Sequence, residues 1–216
     1  MEADLYAIRT EPAFAIGQRA LLVRSPAGNV LWDCIALLDG ATHDLIAALG
    51  GISAIAISHP HYYTTMVEWA HAFAAQVLLH AADREWVMRP DPALRFWEGD
   101  TLPLHDGLVL ARCGGHFAGG TVLHWPAGAD GAGVLLSGDV LQVVPDRRHV
   151  SFMRSYPNMI PLSAAAVRSV ARAVDALTFD RMYGAFQLEI LSDAKAAVRR
   201  SADRYVRWIT EHPEPI

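Results

Sequence analysis

The stretch AISHPHYYTTMVEWAHAF, residues 56–73, decides how the rest of the chain is read. It continues the apolar run ISAIAIS (52–58), whose unbroken hydrophobicity is that of a strand buried on both faces. The run stops at Ser58, and His59, Pro60 and His61 follow at once. In extended chain, residues i and i+2 point the same way, so both imidazoles can reach one ion. Beyond them stand Tyr62, Tyr63, Thr64 and Thr65, and then Met66, Val67, Ala70 and Phe73 recur at helical spacing, with Thr64 or Thr65 as the expected N-cap. Taken alone, the two histidines are either half of a metal site or an ordinary strand end.

Composition narrows the class. The chain has 216 residues, 52% of them hydrophobic and 19% charged, which suits a folded core and excludes a disordered chain. A net charge of −5 without a basic block gives no electrostatic footprint for nucleic acid or a membrane surface. Cys34 and Cys113 form no CxxC pair and read as reduced core residues. The opening MEADLYAIRTEPAFAIG lacks the basic start and apolar stretch of a secretory leader, so a cytoplasmic location is expected.

Outward from the histidines, LYAIR, ALLVR and VLWDC read as strands, the last two joined by the turn SPAGN. HDLIAALGG is a short helix stopped by glycines. QVLLH, LRFW, TLPLH, LVLARC, TVLHW and GVLLS are further strands, with a short helix at AADREWVM. Residues 143–161 read as a long irregular and hence functional segment. The amphipathic helix LSAAAVRSVARAVDAL, the strand FDRMYGAF and a terminal helix capped by Ser192 complete the chain. Strands and helices in this order favour two sheets with helices outside, in a single domain over 1–216 with no linker.

Several strands end in residues able to do chemistry: Asp33 after VLW, His59 and His61, His116 with Gly119 and Gly120 behind it, and Asp139 after VLLSG. Loops converging at strand ends are where such proteins build sites. His80 and His149 stand as lesser candidates, whereas His43, His71, His105, His124 and His212 read as ordinary positions. Trp69, Trp86, Trp97, Phe117 and Phe186 are either core or the wall of an apolar pocket.

Taken in order, ISHPHYYT, GGHFAGGTV and LLSGDV resemble the metallo-β-lactamase fold superfamily, from VLWDC to YGAF. The resemblance implies a four-layer αββα sandwich, an α+β fold of two mixed β-sheets flanked by helices. It implies a first metal held by His59, His61, His116 and Asp139, with Asp33 orienting a ligand histidine. The ligands of that family's second metal fall on Tyr63, Thr64 and Ala185, none of which can serve, so a mononuclear site is implied, with Tyr63 standing where the second ion would have been. The ion would be Zn or Fe, with Mn also possible.

That set implies a metal-dependent hydrolase of a small ester, lactone or thioester, with metal-activated water as nucleophile. Asp139, Tyr62 and Tyr63 would take catalytic roles, and Arg154, Tyr156 and Asn158 would bind a polar or anionic substrate. Two other readings fit the same residues. One is an iron-dependent, dioxygenase-like oxidoreductase; the other is a non-catalytic member whose filled His₃Asp shell holds a structural metal. The expected partner is a small molecule, with no nucleic acid and no membrane, and a homodimer is the base-rate assembly.

Overall fold

The computed structural model describes residues 1–211; His212 lies outside the described residues. Six strands form a first sheet in chain order: β1 (Leu5–Ile8), β2 (Ala20–Val23), β3 (Val30–Trp32), β4 (Ala54–Ala56), β5 (Gln76–His80) and β6 (Leu94–Trp97). The first three run antiparallel and the β3–β4–β5–β6 pairings are parallel. Helix α1 (Gly40–Ala48) and helix α2 (Met66–Phe73) supply two of the crossovers that parallel pairing demands.

The second sheet contains β7 (Thr101–Pro103), β8 (Val109–Arg112), β9 (Thr121–Trp125) and β10 (Val134–Gly138), followed after an interval by β15 (Arg181–Gly184) and β16 (Glu189–Ile190). Its order is β16-β15-β10-β9-β8-β7, and only the β10–β15 pair is parallel. Between β10 and β15 lie two small hairpins, β11 (Gln142–Val143) with β12 (Val150–Ser151) and β13 (Met153–Ser155) with β14 (Ile160–Pro161). Helix α3 (Ala164–Asp175) precedes β15, and helix α4 (Ala194–Thr210) follows β16. The segment expected to be irregular is therefore largely hairpin, and its second hairpin stands over the candidate site.

Alternation along the strands builds the four layers. In β2, Leu21 and Val23 face the space between the sheets while Leu22 faces α1 and α2; in β3, Val30 and Trp32 face inward and Leu31 outward. In the second sheet, Leu123, Val134 and Leu136 meet them between the sheets, while Val122 and Leu135 pack on Val167, Val170 and Val174 of α3 and Val198 of α4. Strands buried on both faces are why these segments read as continuous apolar runs. Cys34 and Cys113 are buried free thiols. Among the described residues, no helix is long and apolar enough to cross a membrane.

One expected helix cap holds its position without its bond, and another is displaced by one residue. The N-cap position of α2 is Thr65, yet its hydroxyl donates to the Ile35 carbonyl rather than to its own helix. At α4 the cap position is Asp193, in a left-handed conformation with its N–H donated to Asp180, and Ser192 lies outside. At α2 a tertiary hydrogen bond of the side chain wins over the local cap.

Leu123 is fully buried between the sheets. Leu123→Ala is expected to cost about 2–5 kcal/mol of unfolding free energy. Leu45→Ala, at a largely exposed position, is expected to stay within about 0.5 kcal/mol. Denaturant titration of both variants checks the pair.

Candidate metal centre

The site forms where strand ends of both sheets meet. The chain leaves β3 at Asp33, whose carboxylate Oδ1 accepts the Ser58 N–H at 2.7 Å. Ser58 ends the run of β4, and its carbonyl accepts the N–H of Thr121, the first residue of β9, at 2.9 Å. Its hydroxyl pairs with Nδ1 of His59 at 2.9 Å. The end of β10 presses on the same residue: Gly138 has a left-handed φ of +52°, and a Cβ there would sit 2.4 Å from the Ser58 Oγ. Only glycine fits so close a crossing. Asp139 follows directly and is carried into the cluster.

After His59 the chain makes one 3₁₀ turn, Pro60–Tyr62, so His61 comes round beside His59 while Tyr62 turns into the core. His116 arrives on the glycine-rich turn after β8. Its Nδ1–H donates to the Met153 carbonyl of β13 at 3.0 Å, which leaves Nε2 with a free lone pair facing His61 Nδ1 at 3.3 Å. His59 Nε2 lies 3.8 Å from Asp139 Oδ2. One ligand atom from each of His59, His61, His116 and Asp139 lies within 4.8 Å of all the others, the one such group among the described residues.

The electrostatics suit a cation. Burial pushes the His59 imidazole well below its ordinary range, with the neighbouring His116 and His61 adding to the effect. Burial lowers His116 to about 4, against the opposing hydrogen bond to Met153. His61 is lowered as well, by burial and then by the Arg154 charge. All three rings are thus neutral at physiological pH, the form that ligates metal. Burial raises Asp139 to about 6 and Asp33 to about 7. His59 Nε2 and Asp139 Oδ1 are buried without any hydrogen-bond partner, as are the Tyr62 hydroxyl and Asp33 Oδ2 beside them. Buried polar atoms are seldom left unpaired, and four at one spot fit a group that could hold an ion.

The other expected site residues are placed as follows. Asp33 reaches the ligand His59 through Ser58 and makes no hydrogen bond to a histidine ring. Tyr62 has no exposed surface; its ring lies edge-on to His59 at 4.4 Å and its hydroxyl faces Asp139 from just outside hydrogen-bond geometry. Tyr63 is buried beside it in the apolar cluster with Ile35 and Ala185, and burial, then the Asp83 charge, raises its phenol well above the ordinary range. Thus Tyr62, rather than Tyr63, faces Asp139. Thr64 is exposed.

Arg154 donates to the His116 carbonyl, and Tyr156 donates to the Asp139 carbonyl at 3.2 Å, so both border the cluster. Asn158 instead folds back on Ser155 in the β13–β14 turn. His80 is satisfied locally by the Ala82 N–H and the Gly99 carbonyl, and His149 pairs with Asp146 on the surface. Of the aromatic residues, Trp69 and Trp97 are core and Phe186 packs against the apolar cluster, whereas Phe117 and Trp86 lie together at the mouth.

Two residues escaped the sequence reading. Ser58 looked like the end of a strand. Asp83, in the 3₁₀ segment Ala81–Trp86, is buried and holds the Gly119 N–H at 2.7 Å, fixing the turn that carries His116. A carboxylate among surface-type residues carried no signal beyond its charge.

No protein-family profile matches the chain. Over 206 residues it is 53% identical to the uncharacterized protein YmaE of Bacillus subtilis (strain 168), a match covering 95% of this chain and 75% of that protein. Among solved structures, the DIM-1 metallo-β-lactamase superposes with a TM-score of 0.70 at 14% identity, covering 95% of this chain and 94% of its own. The metallo-β-lactamase SMB-1, in complex with mercaptoacetic acid, gives 0.61 at 17% identity over 96% and 95%. MEM-A1, a subclass B3 metallo-β-lactamase from a soil metagenome library, gives 0.60 at 19% identity over 95% and 89%. Likeness at these identities establishes the fold.

Ser58→Ala removes the hydroxyl that holds His59 Nδ1 and leaves the backbone bonds of residue 58 in place. The variant is expected to fold and to bind a divalent ion roughly 10–100-fold more weakly, as removal of an outer hydrogen bond to a metal-bound histidine does. Competition with a chromophoric chelator measures the change.

Proposed function

This chain belongs to the family of YmaE and has the metallo-β-lactamase fold, and on that premise we propose that it is a mononuclear metal-dependent hydrolase of a small ester, lactone or thioester. One observation carries the reading: the ligand atoms of His59, His61, His116 and Asp139 lie within 4.8 Å of one another, and two of these side chains point buried, unpartnered atoms into the cluster. His59, His61, His116 and Asp139 would hold a divalent Zn or Fe ion, which would supply Lewis acidity toward a carbonyl oxygen and lower the pKa of water so that it could act as nucleophile.

The chain's own residues do the rest. Ser58 and the Met153 carbonyl fix the ring planes of His59 and His116, so little reorganisation accompanies ligation. Asp139 has two carboxylate oxygens, one facing His59 and one without a partner, so it can ligate and still accept a proton. Burial holds the Tyr62 phenol far above its ordinary pKa, so it stays protonated and serves as a hydrogen-bond donor toward Asp139. His61 is exposed and keeps one side of the cluster open to an incoming molecule, which favours a working ion over an enclosed structural one.

Protein purified without added metal is expected to carry, or to take up from Zn, Fe or Mn, one ion per chain by elemental analysis. A panel of small esters, lactones and thioesters is expected to give turnover that a chelator abolishes. Tyr62→Phe is expected to lower kcat by about 10²-fold, in the range of a lost acid–base or hydrogen-bonding group, while metal content holds. Failure to bind any of the three metals would overturn the reading. A loaded protein silent on the whole panel would turn attention to oxygen-dependent chemistry at the same residues.

A further inference from the structure

We propose that the mouth of the histidine cluster recognises an anionic, aryl-bearing substrate, with Arg154 taking the negative group and Phe117 with Trp86 taking the flat apolar part. The proposal deepens the hydrolase reading, on which it rests, by naming the chemical class of the ester, lactone or thioester.

The placement of Arg154 comes first. Strand β13 stands over the glycine-rich turn and grips His116 with two consecutive residues: Met153 accepts from the imidazole, and Arg154 donates to the main-chain carbonyl. The guanidinium is thereby fixed relative to a candidate metal ligand instead of ranging over the surface. One donor, Nη1, makes that bond, and a guanidinium has five N–H donors in a rigid fork. Arg19, Arg24 and Arg181, among others, have carboxylate partners. Among the described residues, Arg84, Arg112 and Arg168, like Arg154, have none within ion-pair distance. Its place beside His116 is what sets Arg154 apart. In a chain of net charge −5, a tethered, unpaired cation beside a catalytic cluster is positioned for a ligand's charge.

The aromatic strip comes second. The Arg154 guanidinium carbon lies 5.8 Å from the centre of the Phe117 ring. That ring borders all three candidate ligands, with centroids 4.9 Å from His61, 5.1 Å from His116 and 5.6 Å from His59. Trp86 meets the same ring edge-on at 5.6 Å and is 46% exposed. Edge-to-face aromatic pairs leave ring faces available to a further flat group. Arg154, Phe117 and Trp86 thus form one strip along the open side of the cluster at His61. A charge at one end, a hydrophobic platform at the other and the reacting centre beside the shared ring define the ligand. It is a small molecule whose carboxylate or similar planar anion lies a few bonds from the reacting carbonyl.

The test is binding to metal-loaded, full-length protein, read by tryptophan fluorescence and by ligand-observed NMR, with phenylacetate, its neutral amide phenylacetamide, and acetate as probes. Phenylacetate is expected to bind at least about 10-fold more tightly than phenylacetamide, the scale of a charge-assisted hydrogen bond. Arg154→Gln is expected to erase that difference and Arg154→Lys to keep part of it. If the preference survives unchanged in Arg154→Gln, the metal and not Arg154 reads the anion, and the proposal falls. Trp86 touches no candidate ligand; Trp86→Ala is expected to weaken both aryl probes and leave acetate unaffected, and equal binding of the aryl probes overturns the aromatic half.

Turnover separates this proposal from the one beneath it. Ligand discrimination without hydrolysis of any ester removes the hydrolase reading and leaves the subsite. Hydrolysis of neutral and carboxylate esters with equal kcat/KM, unchanged in Arg154→Gln, does the reverse.

Discussion

Everything at the site hangs on one joint, the backbone and hydroxyl of Ser58. Its N–H is fixed from the first sheet by Asp33, its carbonyl from the second sheet by Thr121, and its hydroxyl by His59, while Gly138 closes against its side chain. Two sheets facing each other are ordinarily separated by a layer of side chains about 10 Å thick. Here that layer gives way at one end, and two strand termini touch. The contact is what allows Asp139, leaving β10, to reach histidines that leave β4. Asp33, 1% exposed and raised to about 7 by burial, is an unfavourable residue in its own right. Its place is explained by the Ser58 bond and by the position that bond gives to the first histidine.

The half of the site that holds no ligands is built as core. Of the three positions where the resemblance put a second metal's ligands, Tyr63 and Ala185 lie inside one apolar cluster with Ile35, Tyr62, Met66 and Trp69, and Thr64 is exposed. An unpaired carboxylate or imidazole buried in such a cluster would cost several kcal/mol. Tyr62 belongs to that cluster and also presents its hydroxyl to Asp139, whose Oδ1 is otherwise without a partner. An O–H dipole facing the carboxylate offers a weaker, uncharged counterpart to the positive charge a second ion would bring.

Much of the architecture was legible because the residues that make it are local. Runs such as QVLLH and TVLHW are strands with the boundaries their sequence suggests, since largely apolar runs of this length suit strands buried on both faces. His59 and His61 were legible as a pair from their spacing, although a 3₁₀ turn, and not extended chain, brings His61 round beside His59. What escaped depends on partners far away in the chain. Ser58 acts through residues 33, 121 and 138, and Asp83 through Gly119. Thr65 turns its hydroxyl from its own helix to Ile35, and the start of α4 is set at Asp193 by its N–H bond to Asp180. The hairpins in 143–161 have strands of two or three residues, too short for a period of two to show.

Under the proposed function, the second hairpin also bears on what the site accepts. A histidine on a glycine-rich turn has little of its own to hold it, and His116 is held from outside, by Asp83 through the Gly119 N–H and by β13 through its ring and carbonyl. Because Met153 and Arg154 are adjacent in one strand, the element that orients the ligand also delivers the unpaired guanidinium to the mouth. Affinity for the ion and choice of substrate are therefore coupled through a two-residue grip. A substitution in β13 that loosens the hairpin disturbs both at once, whereas one in Trp86 acts only at the far end of the aromatic strip. Within this fold, the short hairpin after the Asp139 strand is the part of the chain best placed to change specificity while the cluster of ligands stays fixed by the joint at Ser58.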